Sequence, residues 1–150
     1  MSSGAQYNVK ELFDGKLVSL TSKSDVAASD LEGKVVALYF SAHWCPPCRA
    51  FTPILIKAYK DAKAAGAEFE LVFVSSDEDE EGFDEYTATM PWVAVKFDDE
   101  EARSQIGEKF GIQGIPALIV LGKDGKVITT DGRTPVTKEK EGAFVNWSKL

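Results

Sequence analysis

The chain has 150 residues, 44% of them hydrophobic and 27% charged, which is the amount and mix of sequence expected for one domain over 1–150 with its own core. Its net charge of −7, from 17 Lys and Arg against 24 Asp and Glu, excludes sequence-independent nucleic-acid binding as an expectation, because that needs basic surface laid against phosphates. No apolar run approaches the roughly 20 residues that span a bilayer, and Met1 to Lys10 is too polar for a secretory segment, so an intracellular chain with no membrane partner is expected.

Glu11 to Val18 reads as a hairpin turning at Asp14-Gly15. After Glu32-Gly33-Lys34, Val35 to Phe40 is a short apolar run rich in β-branched and aromatic residues, which predicts a buried central strand. From Arg49 to Ala65, residues Phe51, Ile54, Leu55, Ala58, Tyr59 and Ala62 recur at helical spacing. Gly66 ends that helix and Pro53 is expected to kink it. Phe69 to Ser75 predicts a second buried strand, and Asp79 to Thr89 a helix with Phe83 and Tyr86 on one face, broken at Met90-Pro91. Trp92 to Phe97 predicts a short extended segment, and Asp99 to Phe110 a helix closed by Gly111. Ala117 to Leu121 and Val127 to Thr130 predict a hairpin, and Glu139 to Leu150 a last helix carrying Phe144 and Trp147. The alternation predicts an α/β fold: a central mixed sheet flanked by helices on both faces, with an N-terminal hairpin.

The two cysteines stand in Trp44-Cys45-Pro46-Pro47-Cys48-Arg49, between a predicted strand and a predicted helix. A disulfide closing so short a loop removes little chain entropy and is a poor staple; it suits a reversible switch. At a helix N-terminus the free N–H groups and the macrodipole favour negative charge, and thiol pKa values at such sites fall to roughly 3.5–7.5. Cys45 is therefore predicted at the exposed start of the helix as the attacking thiolate, and Cys48, one turn on, as the more buried thiol that resolves the mixed disulfide. Pro46 and Pro47 stiffen the segment and remove two backbone donors. Structural zinc takes four ligands, usually Cys or His, and the chain has two Cys and one His. Haem attachment needs a His directly after the second Cys, where Arg49 stands. No metal and no cofactor are expected. Inert core cysteines are the remaining alternative, disfavoured by the strand–CxxC–helix order.

Other residues carry two readings each. Pro116, at the mouth of a predicted strand, is on local sequence an ordinary trans turn proline, since only about 5–6% of X–Pro bonds are cis. Asp77 to Glu81, with Asp84 and Glu85, is a solvated helix start or a partner-selecting rim. Within either, Asp77 or Glu78 is a candidate proton acceptor for Cys48. His43 is a surface residue or a charge that favours the thiolate. Trp92 is core first and site second.

The segment Ser41-Ala42-His43-Trp44-Cys45-Pro46-Pro47-Cys48-Arg49 resembles the active site of nucleoredoxins and tryparedoxins, branches of the thioredoxin superfamily. Met90 to Val95 and Gly111 to Pro116 resemble two further motifs of those branches, somewhat closer to nucleoredoxin, and the resemblance runs from about Leu31 to the C-terminus. It implies a thioredoxin-like fold with Cys45 as nucleophile and Cys48 as resolving thiol. It implies Trp44 as a flat wall beside the nucleophile, and a substrate surface of Pro46, Pro47 and a cis Ile115-Pro116 loop that receives an extended chain by strand addition. Arg133 looks like the arginine that helps bind dithiol co-substrates. The implied activity is reduction of protein disulfides, peroxiredoxins among the substrates, with electrons from an upstream reductase or a low-molecular-weight dithiol. The alternative is a redox-controlled protein-binding module whose disulfide state sets partner affinity. The implied location is the cytoplasm, with the nucleus open, since a domain of this size can diffuse into both.

Nucleoredoxins are often longer and multidomain, whereas this chain has room for one domain. Two departures matter. Many thioredoxins bury an Asp six residues before the first Cys, where this chain, like the tryparedoxin-like branch, has Tyr39; proton transfer must then use another group or water. Tryparedoxins carry Trp-Asp-Glu where this chain has Ser76-Asp77-Glu78, which puts trypanothione as co-substrate in doubt.

Overall fold

The computed structural model describes residues 6–150, so the first five residues of the polar N-terminal stretch lie outside the described residues. Helix α1 (Val9–Phe13) starts where the Asn8 side chain accepts a hydrogen bond from Glu11 N at 3.1 Å. It buries Val9, Leu12 and Phe13 and turns through Asp14-Gly15 into β1 (Leu17–Ser19), which pairs antiparallel with β2 (Asp25–Val26). The N-terminal hairpin is thus made by β1 and β2. Glu11 to Phe13 is helical, because the Asn8 cap and the one-sided burial favour that period over alternation.

β3 (Val35–Ser41) leads into α2 (Pro46–Ala64), β4 (Phe69–Ser75), α3 (Glu80–Thr87), β5 (Val93–Val95), α4 (Glu100–Lys109), β6 (Ala117–Leu121), β7 (Val127–Thr129), α5 (Arg133–Glu139) and α6 (Glu141–Ser148). The helix expected from Glu139 is α6, and it is preceded by α5, which the sequence reading missed; the two part at Lys140 with φ 57°. Helix α2 also begins earlier than its apolar spacing indicated, because Pro46 and Pro47 occupy the first turn, where a missing N–H costs no bond. It ends in a Schellman turn: Ala67 N donates to Ala62 O and Gly66 N to Lys63 O, with Gly66 at φ 86°.

The sheet has the order β2-β1-β5-β4-β3-β6-β7. β3–β4 and β4–β5 are parallel, whereas β3–β6 and β6–β7 are antiparallel, so the sheet is mixed. β3 is buried on both faces, which is why it reads as an unbroken apolar run. Val35, Ala37 and Tyr39 pack with Leu55 of α2, Phe83 and Tyr86 of α3 and Phe144 of α6. Val36, Leu38 and Phe40 face the other way, toward Phe13 of α1 and Ile106 of α4. In register, Tyr39 pairs with Phe73, Ser41 with Ser75 and Phe40 with Ala117, which brings the C-terminal end of β3 beside the end of β4 and the start of β6. No helix among the described residues is long and apolar enough to cross a membrane.

Candidate active site

The segment between β3 and α2 is tied down at several points. His43 N donates to Asp77 Oδ1 at 2.8 Å, and Trp44 Nε1 donates to Ser76 O at 3.2 Å. The second oxygen of Asp77 accepts from Ser75 Oγ at 2.8 Å, and Arg103 Nη1 donates to Ser75 O at 3.0 Å. The end of β4 therefore holds the residues that precede Cys45. With its carboxylate engaged by His43 N and Ser75 Oγ, Asp77 anchors the loop that precedes Cys45. Further along the acidic run, Asp79 caps α3 by accepting from Gly82 N at 2.8 Å, and Glu80 and Glu81 lie in its first turn, where the dipole favours acids.

Cys45 is the N-cap of α2, with extended backbone (φ −97°, ψ 108°). Arg49 N donates to Cys45 O at 3.1 Å, closing the first helical turn. The expected exposed position of Cys45 needs correction: the residue is 5% accessible. The cause is the β6 approach, where Ile115 O lies 3.9 Å from Cys45 Sγ and the thiol donates to it. What meets solvent around the sulfur is Trp44, 59% exposed, together with Pro46 and Pro47.

Cys48 lies one turn further on and is fully buried, and both cysteines are thiols. Burial pushes the Cys48 thiol up from 9.0 to about 11, helped by its hydrogen bond with Cys45 and opposed by hydrogen bonds from the Ser41 hydroxyl and the Ala42 backbone. Burial likewise raises Tyr39, Tyr59 and Tyr86. For each of these groups the unfolded chain ionises at lower pH than the folded one. The contribution of Cys48 is whole below about pH 9 and is lost as pH climbs through 9.0 toward about 11, and that of the tyrosines begins to be lost only above 10.0. Lys63, lowered by burial, acts in the opposite direction. Urea unfolding midpoints are expected to be level from pH 7 to 8.5 and to fall above that, Cys48 alone accounting for something on the order of 2 kcal/mol. A midpoint unchanged up to pH 10.5 would refute this.

The Ile115–Pro116 peptide is cis, and Pro116 is buried beside the site. Arg133, at the start of α5, donates through Nη1 to Pro116 O at 3.1 Å, and its guanidinium lies 5.6 Å from the centre of the Phe51 ring. The structure thus gathers Trp44, Cys45, Pro46, Pro47, Cys48, Ile115, Pro116 and Arg133 at one end of the sheet. Trp92 belongs to the core, buried and edge-on to Tyr39 and Tyr59. His43 is half-buried, its ring 5.7 Å from that of Tyr86.

Beneath Cys48 lies a hydroxyl cluster that the sequence reading missed. Tyr86 Oη is 2.6 Å from Ser41 Oγ and 2.5 Å from Thr52 Oγ1, and Tyr39 Oη is 2.7 Å from Thr52 Oγ1. Thr52 donates to Cys48 O at 2.9 Å. The only local signal was Tyr39 standing where other thioredoxins bury a carboxyl. Tyr86 is 45 residues from Ser41, and nothing in the sequence joins them.

The thioredoxin-like family model matches residues 33–127, more than half of the chain. Mouse nucleoredoxin is 46% identical over 138 residues, covering 92% of this chain and 32% of that protein. The chain therefore spans about a third of the length of the nucleoredoxin it matches. Tryparedoxin of Trypanosoma brucei brucei is 45% identical over 131 residues, covering 86% of this chain and 90% of the relative. Among solved structures, tryparedoxin II of Crithidia fasciculata superposes with a TM-score of 0.83 at 41% identity, over 93% of this chain and 92% of that one. Tryparedoxin II in complex with glutathionylspermidine superposes at 0.81 with 40% identity, over 89% of this chain and 94% of that one. With its CxxC site at the head of α2, the chain belongs to the thioredoxin-like oxidoreductase family, alongside nucleoredoxins and tryparedoxins.

Proposed function

We propose that this chain reduces protein disulfides by a dithiol mechanism in the cytoplasm, Cys45 attacking and Cys48 resolving. The observation that carries the reading is the position of Cys45 as N-cap of the long helix α2, with the fully buried Cys48 one turn inside. The reacting form of a cysteine in disulfide exchange is the thiolate. That thiolate attacks one sulfur of a substrate disulfide, the other sulfur leaves as a thiolate and takes up a proton, and a mixed disulfide remains on Cys45. Cys48 then gives up its proton and attacks Cys45 Sγ, which releases the second substrate sulfur and leaves a Cys45–Cys48 disulfide. Trp44, Pro46 and Pro47 offer the exposed contact surface, and the Ile115 carbonyl offers an acceptor to an extended substrate backbone.

Reduction of the resulting disulfide falls to an upstream reductase or a low-molecular-weight dithiol. The glutathionylspermidine complex of a structural neighbour supports a low-molecular-weight thiol compound at this site, and Arg133 is the cation available to a carboxylate of such a co-substrate. Peroxiredoxins are the first protein substrates to try. Dithiol-driven insulin reduction tests the reading: many turnovers are expected, falling to background in Cys45→Ser. A reversible Cys45–Cys48 disulfide without turnover would replace this reading with a protein-binding module controlled by its redox state.

A further inference from the structure

We infer that Arg103 of α4 is a positioning residue that acts through Trp44: it clamps the end of β4 and thereby fixes the exposed indole on which a protein disulfide docks. The inference rests on the reading of the chain as a reductase of protein disulfides.

The last peptide of β4 has one side without a strand partner. Ser76 N donates to Ser41 O on the β3 side, so the Ser75 carbonyl of the same peptide points the other way, where β5 pairs with β4 only as far as Phe73. Arg103 supplies the missing donor. Its Nη1 donates to Ser75 O at 3.0 Å and reaches Asp77 O at 3.5 Å, and its Nε donates to Phe97 O at 2.9 Å. The guanidinium lies 4.4 Å from the centre of the Phe97 ring, and that ring is 5.1 Å from Phe83 of α3. Glu78, Asp98, Glu100 and Glu108 line the same cleft of about 720 Å³. Among the described residues, however, no ion pair involves Arg103. Its donors converge on backbone carbonyls, which is what a planar fork does well and a single ammonium does not.

Two bonds pass from the clamped segment to the loop after β3. Ser76 O accepts from Trp44 Nε1 at 3.2 Å, and Asp77 Oδ1 accepts from His43 N at 2.8 Å. The indole is 59% exposed, so packing does little to hold it, and its placement depends on these two bonds. Cys45 has anchors of its own. Its N donates to Ala42 O at 3.2 Å, its O accepts from Arg49 N at 3.1 Å, and its thiol meets Ile115 O. None of these three runs through Arg103. Loss of the clamp therefore loosens the docking surface and leaves the attacking sulfur in place.

Two substrates separate docking from attack. Insulin reduction at saturating dithiothreitol gives kcat and KM for a protein disulfide, and stopped-flow reaction with a small nitrobenzoate disulfide reports attack by Cys45 with little surface engaged. Arg103→Gln is expected to raise KM for insulin about threefold to tenfold, the effect of leaving one large interface side chain unordered. Both kcat and the nitrobenzoate rate should stay as they are. In a Trp44→Ala background, where no indole remains to be placed, Arg103→Gln should raise KM no further. Arg103→Lys, which keeps the charge without the fork, should fall between Arg and Gln. Trp44→Phe removes only the Nε1 donor from an exposed ring and so spares the fold; it should raise KM in the same direction. A normal KM in folded Arg103→Gln or in Trp44→Phe overturns the positioning role. So does an equal further rise in the Trp44→Ala background, or a nitrobenzoate rate that falls in step with kcat/KM, as a merely structural role would produce. No insulin turnover by the unmodified chain overturns the reductase reading itself.

Discussion

Cys48→Ser is expected to convert the chain into a covalent trap, accumulating one substrate molecule per chain through Cys45. Cys45 keeps its position at the N-cap of α2, so attack on a substrate disulfide proceeds. Release does not, because a serine hydroxyl at position 48 cannot close an S–S bond to Cys45 Sγ. Insulin reduction should fall to the uncatalysed background while a reducible adduct appears on non-reducing gels and in intact-mass spectra. Retained turnover, or failure to find the adduct while Cys45→Ser alone is inactive, would remove Cys48 from the resolving role.

Phe69→Ala is expected to produce the largest loss of stability among single core substitutions, about 3–5 kcal/mol. Phe69 opens β4 and is fully buried. Its ring stacks on Phe144 of α6 at 4.5 Å and 16°, meets Tyr59 of α2 edge-on at 5.4 Å, and lies under Lys63 Nζ at 4.5 Å. Truncation opens a cavity between the sheet, α2 and α6 that these rigid rings cannot close. It also releases the C-terminal helix, which is anchored through Phe144 with Trp147 packed edge-on against it. With total stabilities of small domains near 5–15 kcal/mol, a loss of that size should be plain in urea titration. A change below about 1 kcal/mol would show that α6 is held by other contacts.

Those two residues also mark what the sequence made readable. Phe69 to Ser75 could be recognised as a strand because both its faces are covered, which produces an apolar run that no exposed segment tolerates. Cys48 could be recognised because its partner is three residues away. Where the stabilising partner is distant or subtle, reading failed. The Asn8 cap is a single hydrogen bond, and without it Glu11 to Phe13 looks like a strand leading to a Gly turn. Helix α5 has no side-chain cap at Gly132 and carries Pro135 in its first turn, so it gives little local signal of its own. The covering of Cys45 depends on Ile115, 70 residues away, and the Asp77 anchor on His43, 34 residues away. A carboxylate that satisfies a backbone N–H and one that waits for a proton are the same letter in a sequence; only the fold distinguishes them.

The three tryptophans divide sharply by environment. Trp44 is 59% exposed beside Cys45, while Trp92 and Trp147 are 1% and 8% exposed within the core. The intrinsic fluorescence of the chain is therefore spatially sorted. Emission that iodide or acrylamide can quench comes from the ring next to the reacting sulfur, and shielded, blue-shifted emission comes from the packed interior. The exposed component thus reports on the surroundings of Cys45, with the shielded component as an internal standard for folding.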